Sequence, residues 1–194
     1  GTVTFAPGEV SKTVSFSVVN DLIVEGNETV IVSLSNPSSE VTLGANDTFT
    51  YTIIDDDVLY LSFSSGTASE NEGNAARSVG VPTLTLSGAI LQSPASVSLT
   101  VTNGTAQSGD WSQTNPVITI PAGNYVAATQ LSIPAAALSI LGDNVVEPDE
   151  TINLNLNTFV TATAGAITNC TYTIVNDDNA TVSVTATTAS VNEG

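Results

Sequence analysis

The side chains able to do chemistry in this chain are nearly all carboxylates, and they recur in clusters. Asp21, Glu25 and Glu28 share one short segment, and Asp143, Glu147 and Glu150 reproduce its spacing. Asp55-Asp56-Asp57 closes a Tyr-Thr-Ile-Ile run, and Asn176-Asp177-Asp178 closes a Tyr-Thr-Ile-Val run. Thr67 to Gly73, with Glu72, returns as Thr188 to Gly194, with Glu193. Asp110 stands in a Gly-Asp-Trp turn. Two carboxylates about 4 Å apart repel by roughly 4 kcal/mol at an effective dielectric near 20. Five or more converging would exceed the roughly 5–15 kcal/mol that holds a small domain together. They must stay splayed or be gathered by a cation. Oxygen donors without His or Cys select Ca²⁺ over zinc, copper or iron, and Mg²⁺ demands a stricter octahedron. The bland reading is a solvated turn that favours Asp and Asn. Recurrence at a fixed period argues against it.

Catalysis has little to work with. The chain has no His, so it holds no ordinary nucleophilic triad and no imidazole base. Glu147 and Glu150 could pose as the acid pair of a glycosidase. The same pair recurs as Glu25 and Glu28, and repeated active sites along one chain are rare, so the sequence reads as a non-enzyme. Cys170 alternates in phase with Tyr172 and Ile174 and reads as a small buried hydrophobe. Trp111 and Tyr125 could stack on a sugar, but lone aromatics near turns more often pack locally. The Asn-x-Thr sequons at Asn27, Asn46, Asn103, Asn169 and Asn179 arise readily in so Asn- and Thr-rich a chain and carry no argument.

The rest of the composition narrows the classes. The 194 residues carry a formal charge of −17, with Lys12 and Arg77 as the only basic side chains. Such a surface repels phosphate backbones and anionic lipid, which excludes nucleic-acid and membrane-surface partners. Hydrophobic residues make up 41% of the chain, enough for packed cores rather than an acidic disordered tail. No apolar run approaches the roughly 18 residues that cross a bilayer. The chain opens at Gly1, so a missing leader says nothing about export.

The elements that must position the acids are strands. Period-two alternation marks Ser96 to Thr102, Val117 to Ile120, Thr151 to Leu156 and Thr171 to Val175, between Gly, Pro and Asn turns. Ala135 to Ala137 reads as a surface insertion. Asp21 returns at Asp143 and Tyr51 at Tyr172, offsets of 122 and 121. The chain is therefore about 1.6 periods of one repeat. Residues 1–57 read as the rear half of a unit, 58–178 as a complete unit and 179–194 as the opening of the next. Short strands with one apolar face predict an all-β, immunoglobulin-like two-sheet sandwich. Alternate loops of such a sandwich share a pole. Glu72 and the closing Asp177-Asp178 fall at the pole where the chain leaves, and the segment Asp143 to Glu150 can reach it.

These motifs resemble the Calx-beta domain. The resemblance runs through Phe5-Ala6-Pro7-Gly8-Glu9, Gly104-Thr105-Ala106 with Gly109-Asp110-Trp111, Asp143 to Thr151, and Asp55-Asp56-Asp57, and covers nearly the whole chain. It implies a seven-stranded sandwich that binds several Ca²⁺ ions at its C-terminal pole. The implied ligands of the complete unit are Glu72, Asp110, Asp143, the carbonyl of Val145, Glu147, Glu150, Asp177 and Asp178. In the first unit they are Asp21, the carbonyl of Ile23, Glu25, Glu28, Asp55, Asp56 and Asp57; Glu193 would begin a further site. Asn176 departs from the acidic triplet, and Asn20 and Gly142 stand where calcium-sensing members carry another acid. Glu70 is set aside in favour of Glu72, because Val191 replaces it in the third copy.

The expected function is a calcium-rigidified repeat of a long bacterial extracellular adhesin or surface filament, partnered by neighbouring repeats of its own chain. Asp57 runs directly into the strand beginning Val58 without a linker, and Lys and Arg are nearly absent. The lost acids suit millimolar calcium. The alternatives are a regulatory calcium-sensor module of a transporter and a carbohydrate-binding adhesive domain.

Overall fold

The computed structural model describes residues 1–79, 82–113, 117–133, 138–185 and 188–194. The Ala135 to Ala137 insertion therefore lies outside the described residues.

Residues 58–178 form two packed sheets, built by strands whose inward side chains are Leu, Val, Ile and Phe and whose outward ones are Thr, Ser and Asn. One sheet has the order β11 (Val117–Ile120), β9 (Ala95–Asn103), β15 (Glu150–Val160), β17 (Asn169–Val175), β5 (Thr67–Asn71). The other has the order β13 (Thr129–Leu131), β7 (Leu84–Ser87), β4 (Tyr60–Phe63), β16 (Thr163–Ala164). Along β9 the alternation is strict: Val97, Leu99 and Val101 are buried, while Ser96, Ser98 and Thr100 lie outward. Ile152, Leu154 and Leu156 of β15 and Cys170, Tyr172 and Ile174 of β17 complete the same inner face. Burying an aliphatic side chain of this size contributes about 1.5–3 kcal/mol, so this seam holds the sandwich together. The resemblance implies seven strands. Short edge segments such as β16, which pairs two residues with β4, raise the number in the two main sheets.

Two features of the topology position the acids. β5 runs parallel to β17, with Glu70 opposite Ile174 and Asn71 opposite Val175, so both strands end at one pole. There Glu72 N–H donates to the Val175 carbonyl at 2.8 Å. The second feature is a small sheet of β10 (Trp111–Ser112), β14 (Ser139–Leu141) and β6 (Ala76–Ser78). It brings the loops before Trp111 and after Leu141 side by side, with Leu141 N–H donating to the Asp110 carbonyl at 2.8 Å.

Residues 1–57 repeat part of this plan. β2 (Glu28–Ser33) and β3 (Thr48–Ile53) pair with Glu28 opposite Ile53 and Val30 opposite Tyr51. β15 and β17 pair in the corresponding register, Glu150 opposite Ile174 and Ile152 opposite Tyr172. No second sheet covers the hairpin among the described residues, so Phe49 is 62% exposed where its counterpart Cys170 is 2% exposed. Three strands, β1 (Ile23–Val24), β8 (Ile90–Leu91) and β12 (Gly123–Asn124), form a further small sheet.

Candidate metal centre

The pole beyond β5 and β17 gathers acids from four connections. Asp110, Glu147 and Glu150 each offer a carboxylate oxygen, and these oxygens lie within 4.8 Å of one another. Asp110 arrives on the β9–β10 loop, Glu147 on the β14–β15 loop, and Glu150 opens β15. The Gly104-Thr105-Ala106 motif explains how a residue so distant in sequence reaches Glu150. Gly104 and Ala106 N–H groups both donate to the Thr151 carbonyl, at 3.0 and 3.1 Å. Thr151 N–H donates to the Thr105 hydroxyl at 2.9 Å. A Cβ on Gly104 would collide with Thr151, so only glycine lets the loop lie against β15. Asp110 Oδ2 then accepts from Gln107 N–H at 2.5 Å, which closes the turn that presents it.

Glu72 is the one charged residue in the buried core set, at 5% exposure. Burial holds its carboxyl above the usual range, and the charges of Asp143, Glu147 and Asp178 push the same way, partly offset by an N–H from Asp143. Glu150 is pushed up to about 7, first by burial, then by a hydrogen bond and charge from Asp110, then by Glu147 and Glu72. No basic side chain relieves this repulsion. Lys12 pairs with Glu9, and Arg77 pairs with Glu70 at 2.9 Å.

Asp143, Asp177 and Asp178 also shape the backbone. Asp143 Oδ1 accepts Val145 N–H at 2.6 Å, and Asp177 Oδ1 accepts Gly73 N–H at 3.0 Å. Asn74 Nδ2 bridges Asn144 Oδ1 at 2.6 Å and Asp178 Oδ1 at 3.0 Å. The other oxygen of Asp178, Oδ2, is buried without a hydrogen-bond partner. An orphaned carboxylate oxygen beside a buried Glu is what a cation would satisfy. The donor set is all oxygen, which fits Ca²⁺. Glu72, Asp110, Asp143, Glu147, Glu150 and Asp178 would hold it.

The first copy places its acids near enough to repel, though among the described residues no three of them meet as Asp110, Glu147 and Glu150 do. Glu25 is raised by desolvation and by the charges of Glu28, Asp21, Asp55 and Asp57. Asp57 is raised by desolvation and by Asp55, Asp56 and Asp21. Two bonds of the turns recur. Asp21 Oδ1 accepts Ile23 N–H at 2.9 Å as Asp143 does Val145 N–H. Asn27 Oδ1 accepts Asp55 N–H at 3.1 Å as Asp149 Oδ1 accepts Asn176 N–H at 3.1 Å. Glu193 is exposed and joins no cluster of three acids among the described residues.

Three sequence readings gain a physical account. Asn176 is no simple loss: its Oδ1 accepts Asp178 N–H at 3.3 Å, as Asp55 Oδ1 accepts Asp57 N–H at 3.1 Å. What it gives up is the second carboxylate oxygen, with which Asp55 also accepts Glu25 N–H at 2.9 Å. Gly142 cannot be an acid here, because a Cβ would run into the Gly73 and Glu72 carbonyls. Tyr125 is 7% exposed with its hydroxyl on the Pro121 carbonyl at 2.9 Å, and Trp111 Nε1 donates to Asn103 Oδ1 at 3.0 Å. Both aromatics pack locally. The organisers that sequence reasoning missed are Asn27, Asp149, Asn74 and Asn144. The recurrence of Asn27 as Asp149 at the repeat offset was the available signal.

The Calx-beta domain model matches residues 1–57 and 55–185. The chain belongs to the Calx-beta domain family. Among solved structures it is similar to CBD12 from CALX1.2, at 21% identity and a TM-score of 0.47, over 61% of this chain and 46% of that one. It is similar to the calcium binding domain CBD12 of CALX1.1 at 20% identity and a TM-score of 0.44, with the same coverage. The CBD2 domain of Calx matches at 12% identity and a TM-score of 0.42, over 61% of this chain and 86% of that one. The chain spans less than half the length of the first two. No curated protein sequence matches it.

Proposed function

We propose that this Calx-beta chain is a calcium-binding structural repeat of a long extracellular adhesin or surface filament, and that Ca²⁺ stiffens each sandwich and the junctions between them. The observation that carries the calcium reading is the meeting of Asp110, Glu147 and Glu150 within 4.8 Å, beside the buried Glu72 and with no basic partner. A divalent cation would offset that charge without requiring a proton on Glu150. The stalk reading is supported by a second copy of the acidic turns and by the direct passage from Asp57 to Val58. Neighbouring repeats are the proposed partners and the cell exterior the proposed location. Residues 58–178 are the proposed complete unit, flanked by parts of two others.

Ion binding stabilises the folded form by mass action, about 4 kcal/mol at 1,000 times Kd. The melting temperature should fall in chelator and recover with Ca²⁺ but poorly with Mg²⁺. An unchanged melting curve across that series removes the calcium reading. Calorimetry separates the stalk from a regulatory sensor. Saturation near the millimolar range supports the stalk, whereas submicromolar affinity with a large change of shape replaces it by the sensor.

A further inference from the structure

The hairpin of β2 and β3 has an open edge and an open face. β3 pairs with β2 alone among the described residues, whereas its counterpart β17 lies between β15 and β5. At the two ends of the β17–β5 ladder, Thr171 N–H donates to the Gly66 carbonyl at 2.9 Å and the Val175 carbonyl accepts Glu72 N–H at 2.8 Å. The corresponding edge of β3, Thr50 to Ile54, meets no strand among the described residues. The face is open too. Val32, Leu34, Thr48 and Phe49 line a recess of about 270 Å³. Phe16 packs edge-on against Tyr51 at 5.1 Å, yet Tyr51 stays exposed, as do Leu34 and Phe49.

The same sequence carries what fits there. Thr67 to Gly73 returns as Thr188 to Gly194, so residues 188–192 are a second copy of β5. At the same offset, Val182 and Val184 stand where β4 has the buried Leu61 and Phe63. Neither segment pairs with a strand among the described residues, and Val182 and Val191 are 95% and 94% exposed.

Charge singles out the same two places. In a chain of −17, residues 48–54 and 179–192 hold no charged side chain. An unpaired, uncharged edge rich in β-branched residues is a template for another strand. β5 guards its outer edge, because Arg77 pairs with Glu70 and donates to the Asn71 carbonyl. Val191 stands in place of Glu70 and brings an apolar side chain instead.

We propose that the segment around Val182 to Val184 and Thr188 to Glu193 of one chain docks on the β2–β3 hairpin of a second copy. Residues 188–192 add a parallel strand to β3, with Ala189 opposite Tyr51 and Val191 opposite Ile53, as β5 adds to β17. Val182 and Val184 lie on the apolar face. Donor and acceptor are different surfaces, so each docked copy leaves one of each free, and copies add head to tail rather than stop at a symmetric pair. No ion is needed, so this assembly stands apart from the calcium reading. Both partners are anionic, so association should strengthen as salt screens their repulsion.

Sedimentation velocity on the full 194-residue chain tests this, in chelator so that no metal bridges the acids. Species larger than the monomer should grow with concentration and with salt. Ala189→Pro combined with Val191→Pro removes two N–H groups of the adding strand. It should weaken association about tenfold or more, since each backbone hydrogen bond is worth roughly fivefold. Both positions are exposed and unpaired, so the sandwich of residues 58–178 should melt as before. Cysteine pairs read the register. A Thr52→Cys chain mixed with a Ser190→Cys chain should form a disulfide between copies, because facing residues of neighbouring strands lie within disulfide reach. Thr52→Cys mixed with Asn192→Cys, two residues out of register, should not. A monomer throughout, association that the proline variant leaves unchanged, or association without the Thr52–Ser190 crosslink overturns the proposal. So does a disulfide that forms only within single chains carrying both Thr52→Cys and Ser190→Cys, which would make the chain's own segment the occupant.

Discussion

Glu150 sits where its charged form is disfavoured, and that gives the site a pH dependence with a definite sign. Its carboxyl is raised from the ordinary 4.5 to about 7 by burial and then by Asp110. Without metal the native chain therefore binds more protons than the unfolded chain between those values. This contribution to stability is present at low pH and is lost as pH rises from about 4.5 through about 7. Calcium must displace the same proton, so its affinity should rise with pH across that window. Melts at pH 5, 6, 7 and 8 should show the gap between calcium and chelator widening; a constant gap would place Glu150 outside the site. Gly142 gives a second test at this scale. Gly142→Asp adds an acid but drives a Cβ into the Gly73 and Glu72 carbonyls, so it should cost roughly 1–3 kcal/mol in denaturant unfolding and fail to tighten calcium.

Among the elements, the long strands were legible and the short ones were not. Alternation in Ser96 to Thr102 and Thr171 to Val175 predicted β9 and β17, because one face of each is buried and the period has room to show. β8, β10 and β12 are two residues each, too short to carry a period, and two of them turn out to place acids or brace them. The clustering of acids at one pole could be argued from alternate loops. The specific meeting of Asp110 with Glu150 could not, since it depends on Gly104 and Thr105 lying against Thr151, a tertiary packing event with no local pattern. That loop is testable. Thr105→Val keeps the shape but leaves the Thr151 N–H without its acceptor. A loss of about 1–3 kcal/mol in stability is expected, with a matching fall in calcium affinity as Asp110 drifts. Unchanged calcium titrations in that variant would show that the loop does not position Asp110.

For the whole molecule, the charge of −17 and the two acidic copies set the response to calcium. On the proposed stalk reading, ions at Asp55 to Asp57 would hold one side of the Asp57–Val58 junction, while β1 pairs with β8 on the other. Small-angle scattering should report a narrow range of dimensions in calcium and a broader one in chelator. Replacing Asp56 and Asp57 by Asn should broaden it while the sandwich of residues 58–178 still melts cooperatively. Identical scattering in all three conditions would mean that ions do not set the geometry.

The parallel course of β5 and β17 has a consequence for a chain under tension. Once the load has passed through β4, a pull on the two ends draws β5 back toward its start and β17 forward past its end, so the strands slide along one another. Their five registered pairs, Thr67 with Thr171 through Asn71 with Val175, are then loaded in shear and must rupture together. An antiparallel pair pulled from one end would instead unzip bond by bond. Under such a load this ladder should act as the clamp of the sandwich, with the acids at its far end as the latch. In a single-molecule pulling experiment, Ala68→Pro, which removes an N–H that faces β17 in mid-ladder, should lower the rupture force far more than it lowers the melting temperature.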